Sequence, residues 1–226
     1  MKENKGGINR QHNSSLKQKF VFISLHAFII IISLYIVLDG IGIYDNQRAW
    51  ILFGFSFIYF MRHIITLFYL LQRRIEWGEV VGLSSFFVLF EIGLLLLGAG
   101  VFHQHAIAFD WIDSMALILF FLGSYLNTYS ELQRKWWKND LRNKGKVYTK
   151  GLFSHAMHIN FFGDVVLFIG WVMMTHTWWA FFLPLFMLVS FVFFHIPMLD
   201  EYLLERYGNA FDIYAKKTKK LIPRLY

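Results

Sequence analysis

"FVFISLHAFIIIISLYIVLDGI", residues 20–41, is apolar almost throughout. About 20 apolar residues in a helix span the hydrocarbon core of a bilayer, so this stretch has the length of a transmembrane helix. The segment before it is polar and basic, and no small-residue cleavage site is present. The stretch therefore predicts an uncleaved first span and not a signal peptide.

Similar apolar runs recur along the rest of the chain. Together with the first, they predict six spans, at residues 20–41, 49–71, 80–102, 112–127 (or from 106), 161–175 and 178–197. The fifth is short for a complete crossing, so it either extends toward the N-terminus or forms a tight pair with the sixth. The runs are continuous, whereas β-barrel strands alternate apolar and polar residues. We predict an all-α fold, a polytopic transmembrane helical bundle of six or seven spans with a cytoplasmic loop and an amphipathic C-terminal tail.

The composition also indicates a membrane protein. The 226 residues are 57% hydrophobic and 20% aromatic, with a mean hydropathy of +0.45, which is too apolar for a soluble domain. There is no Cys, which excludes disulfides and cysteine-based metal sites or nucleophiles. The net charge of +7 fits basic loops beside anionic lipid headgroups, so we expect membrane lipids as partners and no nucleic acid.

The basic residues predict the topology. Lys and Arg collect before span one and after spans two, four and six, whereas the other connections carry only Arg48. Because Lys and Arg are in excess in cytoplasmic loops, both termini are predicted to be cytoplasmic. In a bacterial host, the inner membrane is the expected location of such a multi-pass protein.

Span two carries a polar face within "SFIYFMRHIITLFYLLQRR", residues 56–74. Its members, at helical spacings of three and four, are Ser56, Tyr59, Arg62, His63 and Thr66. An arginine in a membrane either snorkels to the headgroups or faces the bundle interior, and Arg62 lies too deep for easy snorkelling. Glu91, in the middle of span three, is the expected buried partner of Arg62 or His63, either in a structural ion pair or in a catalytic role.

Two further polar groups flank the long basic connection after span four. One is a stripe at helical spacing that consists of Asn127, Glu131, Arg134 and Lys138. Such a stripe usually marks a solvated helix face, but Asn127 still lies in apolar sequence. The other is "GLFSHAMHINFFGD", residues 151–164, in which Asn160 and Asp164 share a helix face and Gly163 leaves room for an approaching group. Helix capping explains one of these polar residues but not all of them.

Two remaining features of this C-terminal part allow more than one interpretation. His155 and His158 are three residues apart, but no further ligands follow at a familiar spacing, so we predict no metal site. The tail carries an apolar-aromatic stripe that consists of Leu203, Leu204, Tyr207, Phe211 and Tyr214. This stripe fits either an interfacial helix or a lid over the cytoplasmic mouth of the bundle.

Several of these motifs together resemble the C-terminal region of the steroid 5-alpha-reductase family. They are "LNTYSELQRK" (126–135), "GLFSHAMHINFFGD" (151–164) and "YGNAFDIYAKKTKKLIP" (207–223), with a weaker match at "YFMRHIITLFYLL" (59–71). The family consists of membrane enzymes that use NADPH to reduce a carbon–carbon double bond conjugated to a carbonyl group. A more distant resemblance is to isoprenylcysteine and phospholipid methyltransferases.

The resemblance implies roles for particular residues. Cofactor-binding residues would be Asn127, Glu131, Lys135, Lys138, Tyr148, Asn160 and Asp164, and catalytic residues would be Tyr59 and Arg62. Glu91 is a further catalytic candidate from its mid-span position and not from the resemblance. Tyr59 matches the tyrosine that polarises the substrate carbonyl, but the glutamate that the family places on an earlier helix is missing from span one. By this reading, residues 1–19 are a cytoplasmic tail, residues 20–111 form the substrate side and residues 112–226 form the cofactor side.

Three functions are therefore compatible with the sequence. The first is an NADPH-dependent reductase acting on an enone in a lipid or sterol-like molecule. The second is an S-adenosylmethionine-dependent lipid or isoprenylcysteine-type methyltransferase, although that family has Arg-His-Pro where this chain has Met157-His158-Ile159. The third is a non-catalytic membrane protein that keeps the fold.

Overall fold

The computed structural model describes residues 15–40 and 42–226, and within them the regular structure is helical. The α-helices are α1 (Leu16–Asp39), α2 (Asn46–Ile64), α3 (Trp77–Phe87), α4 (Gly93–Gly98), α5 (Trp111–Asn139), α6 (Ile159–Met173), α7 (Phe182–Ser190), α8 (Ile196–Tyr207) and α9 (Asn209–Lys217). Wider π-helical segments extend α2 (Ile65–Leu70), join α3 to α4 (Val88–Ile92) and join α7 to α8 (Phe191–His195).

Five of the described helical segments are long and apolar enough to cross a membrane. They are Leu16–Asp39, Asn46–Leu70, Trp77–Gly98, Trp111–Asn139 and Trp178–Tyr207. The predicted fifth span corresponds to α6, an apolar helix of only 15 residues. The prediction of an all-α, multi-pass integral membrane protein is confirmed.

Some predicted boundaries need correction. Helix α5 continues past Asn127, the predicted end of the fourth span, to Asn139, so the first part of the following connection is helical, as the spacing of the polar stripe indicates. The predicted end of the first span, Ile41, lies outside the described residues, as do residues 1–14 of the predicted N-terminal tail. The helix itself ends at Asp39, where Gly40 adopts a left-handed conformation (φ 68°).

The chain forms two compact units. In the described part, the N-terminal unit comprises residues 15–118 (without 41) and Gly170–Phe181. Helix α1 packs against both α2 and α3 there, and α2 also packs against α4. Large aromatic side chains, among them Phe22, Phe55, Phe87 and Trp171, fill the interior of this unit.

The C-terminal unit comprises Leu119–Ile169 and Phe182–Tyr226 among the described residues. Its helices α5 and α6 approach closely at two glycines. A Cβ atom on Gly163 would lie 2.5 Å from the backbone nitrogen of Asn127, and one on Gly123 would lie 2.2 Å from that of Leu167. The group for which Gly163 leaves room is therefore the backbone of helix α5.

The tail folds back on the same unit. Gly208, at a positive φ of 54°, separates α8 from α9. Phe211 and Tyr214 are buried against Met157, and the Tyr214 hydroxyl donates to the Phe153 carbonyl at 2.5 Å. The backbone N–H of Met157 donates in turn to the Lys219 carbonyl at 2.8 Å. Within this unit the predicted stripe is thus largely a packing surface, although Leu204 remains exposed.

Candidate active site

Tyr59 is the centre of an aromatic and basic cluster inside the N-terminal unit. Its ring lies edge-on to the His63 ring, with a centroid distance of 4.8 Å, and the Arg62 guanidinium carbon lies 5.5 Å from its centroid. Phe87, Phe90 and Trp171 also make edge-on contacts with this ring. The helical spacing predicted for span two thus brings Tyr59, Arg62 and His63 together.

Glu91 lies beside this cluster in the π-helical segment Val88–Ile92, where the widened turn interrupts the α-helical pattern. Nε2 of His26, on α1, is 2.7 Å from the Glu91 carboxylate oxygen Oε1. The two side chains are 1% and 0% exposed. The buried Ser56 hydroxyl, on α2, also forms a hydrogen bond with the carboxylate. The hydrogen-bond partner of Glu91 is thus His26, whereas the sequence predicts Arg62 or His63.

Several buried polar atoms in this cluster have no hydrogen-bond partner among the residues that the structure describes. Among them are Nδ1 of His26, Nδ1 of His63 and Oε2 of Glu91. The His26 and His63 ring centroids are 5.0 Å apart, so these atoms belong to one small region. Burying an unpaired polar atom costs about 1–3 kcal/mol, and native proteins rarely accept that cost without a reason. A bound polar group is a direct way to satisfy such atoms.

The predicted cofactor-binding residues lie in the C-terminal unit. Asn160 and Asp164 share a face at the start of α6, and the Asn127 side-chain amide donates to the Asn160 backbone carbonyl at 3.1 Å. The amide of Asn127 therefore joins α5 to α6, directly beside the close approach at Gly163. Asn127, Asn160 and Asp164 are each partly exposed.

Farther along α5, the stripe leads to charged residues. Glu131 forms an ion pair with Arg134, whose guanidinium lies over the Phe153 ring at 5.4 Å. The Glu131 oxygen Oε1 is buried and has no partner among the described residues. Lys135, one turn on from Glu131, is partly exposed, and the exposed Lys138 reaches the Tyr207 hydroxyl at 3.3 Å.

Tyr148 lies in the connection after α5 and packs against Trp137 and Phe153, with ring centroids at 5.2 and 5.7 Å. Burial raises its pKa above the ordinary value, and the neighbouring Tyr129 adds to this effect. Its hydroxyl group therefore stays protonated at neutral pH and can act as a hydrogen-bond donor.

An open cavity of about 600 Å³ lies in the same unit, between the connection after α5 and helix α9. Its lining includes Lys146, Thr149, Ile213, Lys217 and Thr218. Tyr214 also lines this cavity, and burial raises the pKa of its hydroxyl. The predicted cofactor residues are not among the residues that line this cavity.

Sequence reasoning missed a buried charge network at another place in the N-terminal unit. Arg48 donates from Nη2 to both carboxylate oxygens of Asp113, at 2.8 and 2.9 Å, and also binds Asp45. His176 lies 3.0 Å from the same Asp113. Together with Asp110, Asp113 and His176 have metal-ligand spacing, but Arg48 already occupies the central carboxylate. In the C-terminal unit, His158 pairs with Asp200 at 2.8 Å and His155 is exposed.

A comparison with known protein families finds a match over most of the chain. A family described as "Protein of unknown function (DUF1295)" matches residues 15–218, which is most of the sequence. The chain belongs to the DUF1295 family.

Two curated relatives add a second similarity. This DUF1295 protein is 29% identical over 117 residues to 3-oxo-5-alpha-steroid 4-dehydrogenase 2 of Rattus norvegicus, and 30% identical over 120 residues to the enzyme of that name from Sus scrofa. Each alignment covers 50% of this chain and 42% of the relative. The chain is thus steroid 5-alpha-reductase-like over half of its length, which confirms the resemblance seen in its motifs.

Proposed function

We propose that this DUF1295 protein is an NADPH-dependent membrane reductase that acts on a carbon–carbon double bond conjugated to a carbonyl group. The substrate class is a lipophilic enone, with a 3-oxo steroid as the first candidate because the two curated relatives carry that chemistry in their names. The observation that carries the proposal is the polar cluster of Tyr59, His63, His26 and Glu91 inside an apolar unit. Ionisable residues inside membrane helices are costly and mark functional sites.

The cofactor residues of the C-terminal unit fit a dinucleotide. The buried Glu131 oxygen that has no partner in the described structure is a suitable acceptor for a ribose hydroxyl. Lys135 and Lys138 supply positive charge for phosphates, and Asn160 and Asp164 offer amide and carboxylate groups at one helix face. Tyr148 and Asn127 complete the proposed set.

The residues of the N-terminal unit would act on the substrate. Bound NADPH supplies the hydride for the β-carbon of the enone. The Tyr59 hydroxyl donates a hydrogen bond to the carbonyl oxygen, on which negative charge develops during reduction. Arg62 strengthens this effect by its positive charge, since charges act strongly where water is excluded. Glu91 takes part through its pair with His26.

Cofactor binding by the protein purified in detergent tests this proposal. Wild type should bind NADPH tightly, and Asn160→Ala should weaken binding by about tenfold or more, because a side-chain hydrogen bond to the cofactor is lost. Asn139→Ala, an exposed asparagine at the end of α5, is the matched control and should bind as wild type does. Binding of S-adenosylmethionine in place of NADPH would assign the methyltransferase function, and binding of neither would favour a non-catalytic protein.

A further inference from the structure

The contact between His26 and Glu91 determines which ring nitrogen of His26 is bonded and which is left without a partner. One hydrogen bond, 2.7 Å long, joins Nε2 of His26 to Oε1 of Glu91. The second ring nitrogen, Nδ1, is buried and has no partner among the described residues. In the neutral imidazole one ring nitrogen is a donor and the other an acceptor, whereas in the imidazolium both are donors.

Two protonation states of this pair must be compared. With a carboxylate and a neutral imidazole, the hydrogen lies on Nε2 and Nδ1 is bare. With one more proton, the pair is either carboxylate and imidazolium or carboxylic acid and neutral imidazole. When the proton shared by the two side chains lies in the Nε2–Oε1 hydrogen bond, Nδ1 carries a hydrogen in both of these forms. The pair then has no net charge, which is the state that a low-dielectric interior favours.

We propose, on the basis of the proposed reductase function, that the His26–Glu91 pair is the acid that completes the reduction, and that Nδ1 of His26 delivers the proton. Once a hydride has reached the β-carbon, the substrate is an enolate. The Nδ1–H bond breaks and a C–H bond forms at the α-carbon. The remaining proton of the pair rests on Nε2, facing the Glu91 carboxylate, and the pair takes the single negative charge until solvent reprotonates it.

The surroundings support this role. His26 lies next to the Tyr59 ring, with centroids 6.1 Å apart, so the proton source is beside the group proposed to hold the carbonyl. Among the described residues, the His63 ring lies 5.0 Å from the His26 ring, and the Arg62 guanidinium lies against the neighbouring Tyr59 ring; both residues are on α2. A phenylalanine ring, Phe87, lies 4.8 Å from the imidazole and helps to exclude water. A purely structural ion pair uses Nε2 of His26 and Oε1 of Glu91. It gives no reason for Nδ1 of His26 to be buried without a hydrogen-bond partner.

The first test needs no turnover. In protein labelled with ¹⁵N-histidine, the His26 signals are identified by their loss in His26→Asn. At neutral pH the Nδ1 signal should be that of a nitrogen that carries hydrogen. A bare Nδ1 in the wild type would overturn the proposal, whatever the protein reduces.

The second test uses a 3-oxo-4-ene steroid as the probe substrate with NADPH. Glu91→Gln keeps the shape of the side chain but cannot hold the extra proton, so kcat should fall by about 100-fold or more, while KM changes by no more than about threefold. His26→Asn should do the same, and both variants should show a larger solvent deuterium isotope effect. The matched control is His176→Asn, which alters the similar pair with Asp113 and should leave kcat unchanged.

The outcomes separate the two proposals. Retention of kcat within about threefold in both Glu91→Gln and His26→Asn would overturn the role of the pair but leave the reductase function standing. Absence of NADPH-dependent reduction in the wild type, together with absence of NADPH binding, would overturn the proposed function. The ¹⁵N experiment would then still decide whether the pair holds its extra proton.

Discussion

His26 shows why the partner of a buried polar residue is hard to predict from the sequence. His26 was a lone histidine in the middle of an apolar run, and only the fold shows that Glu91 lies beside it, 65 residues later in the chain. Because a polar residue in a transmembrane helix is costly, its position alone already indicates a partner. The identity of that partner depends on which helices pack together, which hydropathy does not encode.

Removal of the Tyr59 hydroxyl group is the most direct test of the proposed mechanism. Tyr59→Phe should lower kcat by about 10²–10³-fold, as is usual when a donor to a developing oxyanion is removed. The affinity for NADPH should stay close to that of the wild type, because the predicted cofactor residues belong to the other unit. Steady-state kinetics and cofactor titration measure the two effects. Unchanged turnover would remove Tyr59 from the mechanism.

Tyr214 provides a prediction about pH. Burial raises the pKa of its hydroxyl, whereas the unfolded chain releases this proton at about pH 10. The contribution of Tyr214 to stability is therefore complete below about pH 10 and is lost as the pH rises from there toward the folded-state pKa.

In Tyr214→Phe this alkaline loss should be absent, so unfolding free energy should fall less steeply above about pH 10 than in wild type. Near pH 7 the variant should be less stable by about 1 kcal/mol, because the hydrogen bond to the Phe153 carbonyl is missing. Denaturation in detergent, followed by circular dichroism across this pH range, measures both effects. Equal slopes in the two proteins would contradict the assignment.

At the scale of helices, the crossing of α5 and α6 depends on glycine. Gly163→Ala places a methyl group where backbone atoms lie within 3 Å, and rigid backbone cannot move aside cheaply. We expect a loss of about 1–3 kcal/mol in unfolding free energy, the usual cost of overpacking. Gly54→Ala, at a position with no atom within 4 Å, is the control and should be neutral or slightly stabilising. Thermal unfolding in detergent distinguishes the two, and equal stability of both variants would show that the crossing tolerates a side chain.

The elements also show what sequence can and cannot predict. Apolar length locates the helices well, since burial in lipid requires no particular partner. It does not locate the end of α5, because the apolar run stops near Asn127 although the helix continues to Asn139, as the helical spacing of the polar stripe indicates. The charge pattern places Arg48 in a connection between spans and gives no sign of its buried ion pairs with Asp45 and Asp113.

Only the part of the candidate site that lies within single helices could be predicted from the sequence. Tyr59, Arg62 and His63 follow from helical spacing within one element, and Asn160 and Asp164 follow in the same manner. Contacts between elements were not predictable, among them the pair of His26 with Glu91 and the bond from Asn127 to the Asn160 carbonyl. Such contacts depend on packing angles and helix ends, which hydropathy patterns leave open.

At the scale of the whole molecule, the distribution of Lys and Arg makes a prediction about orientation. The chain has no native Cys, so single cysteines can be introduced without background labelling. Lys144→Cys and Lys219→Cys should react with a membrane-impermeant maleimide from the cytoplasmic side only, because basic segments stay in the cytoplasm. Gln104→Cys, in the connection after α4, is the control and should react from the opposite side. Labelling of all three positions from one side would refute the six-span topology.

The π-helical segment Val88–Ile92 has a consequence for how such a protein can gain or lose activity. A π turn holds about one more residue than an α turn, and each residue of an α-helix advances the side-chain direction by roughly 100°. Deleting a single lipid-facing residue such as Leu89, which is 74% exposed, would restore the narrower helix and swing Glu91 away from His26. Loss of this one residue would then separate the two members of the proposed acid while shortening the apolar run by a single position. Close homologues of nearly equal hydropathy can therefore differ in chemistry.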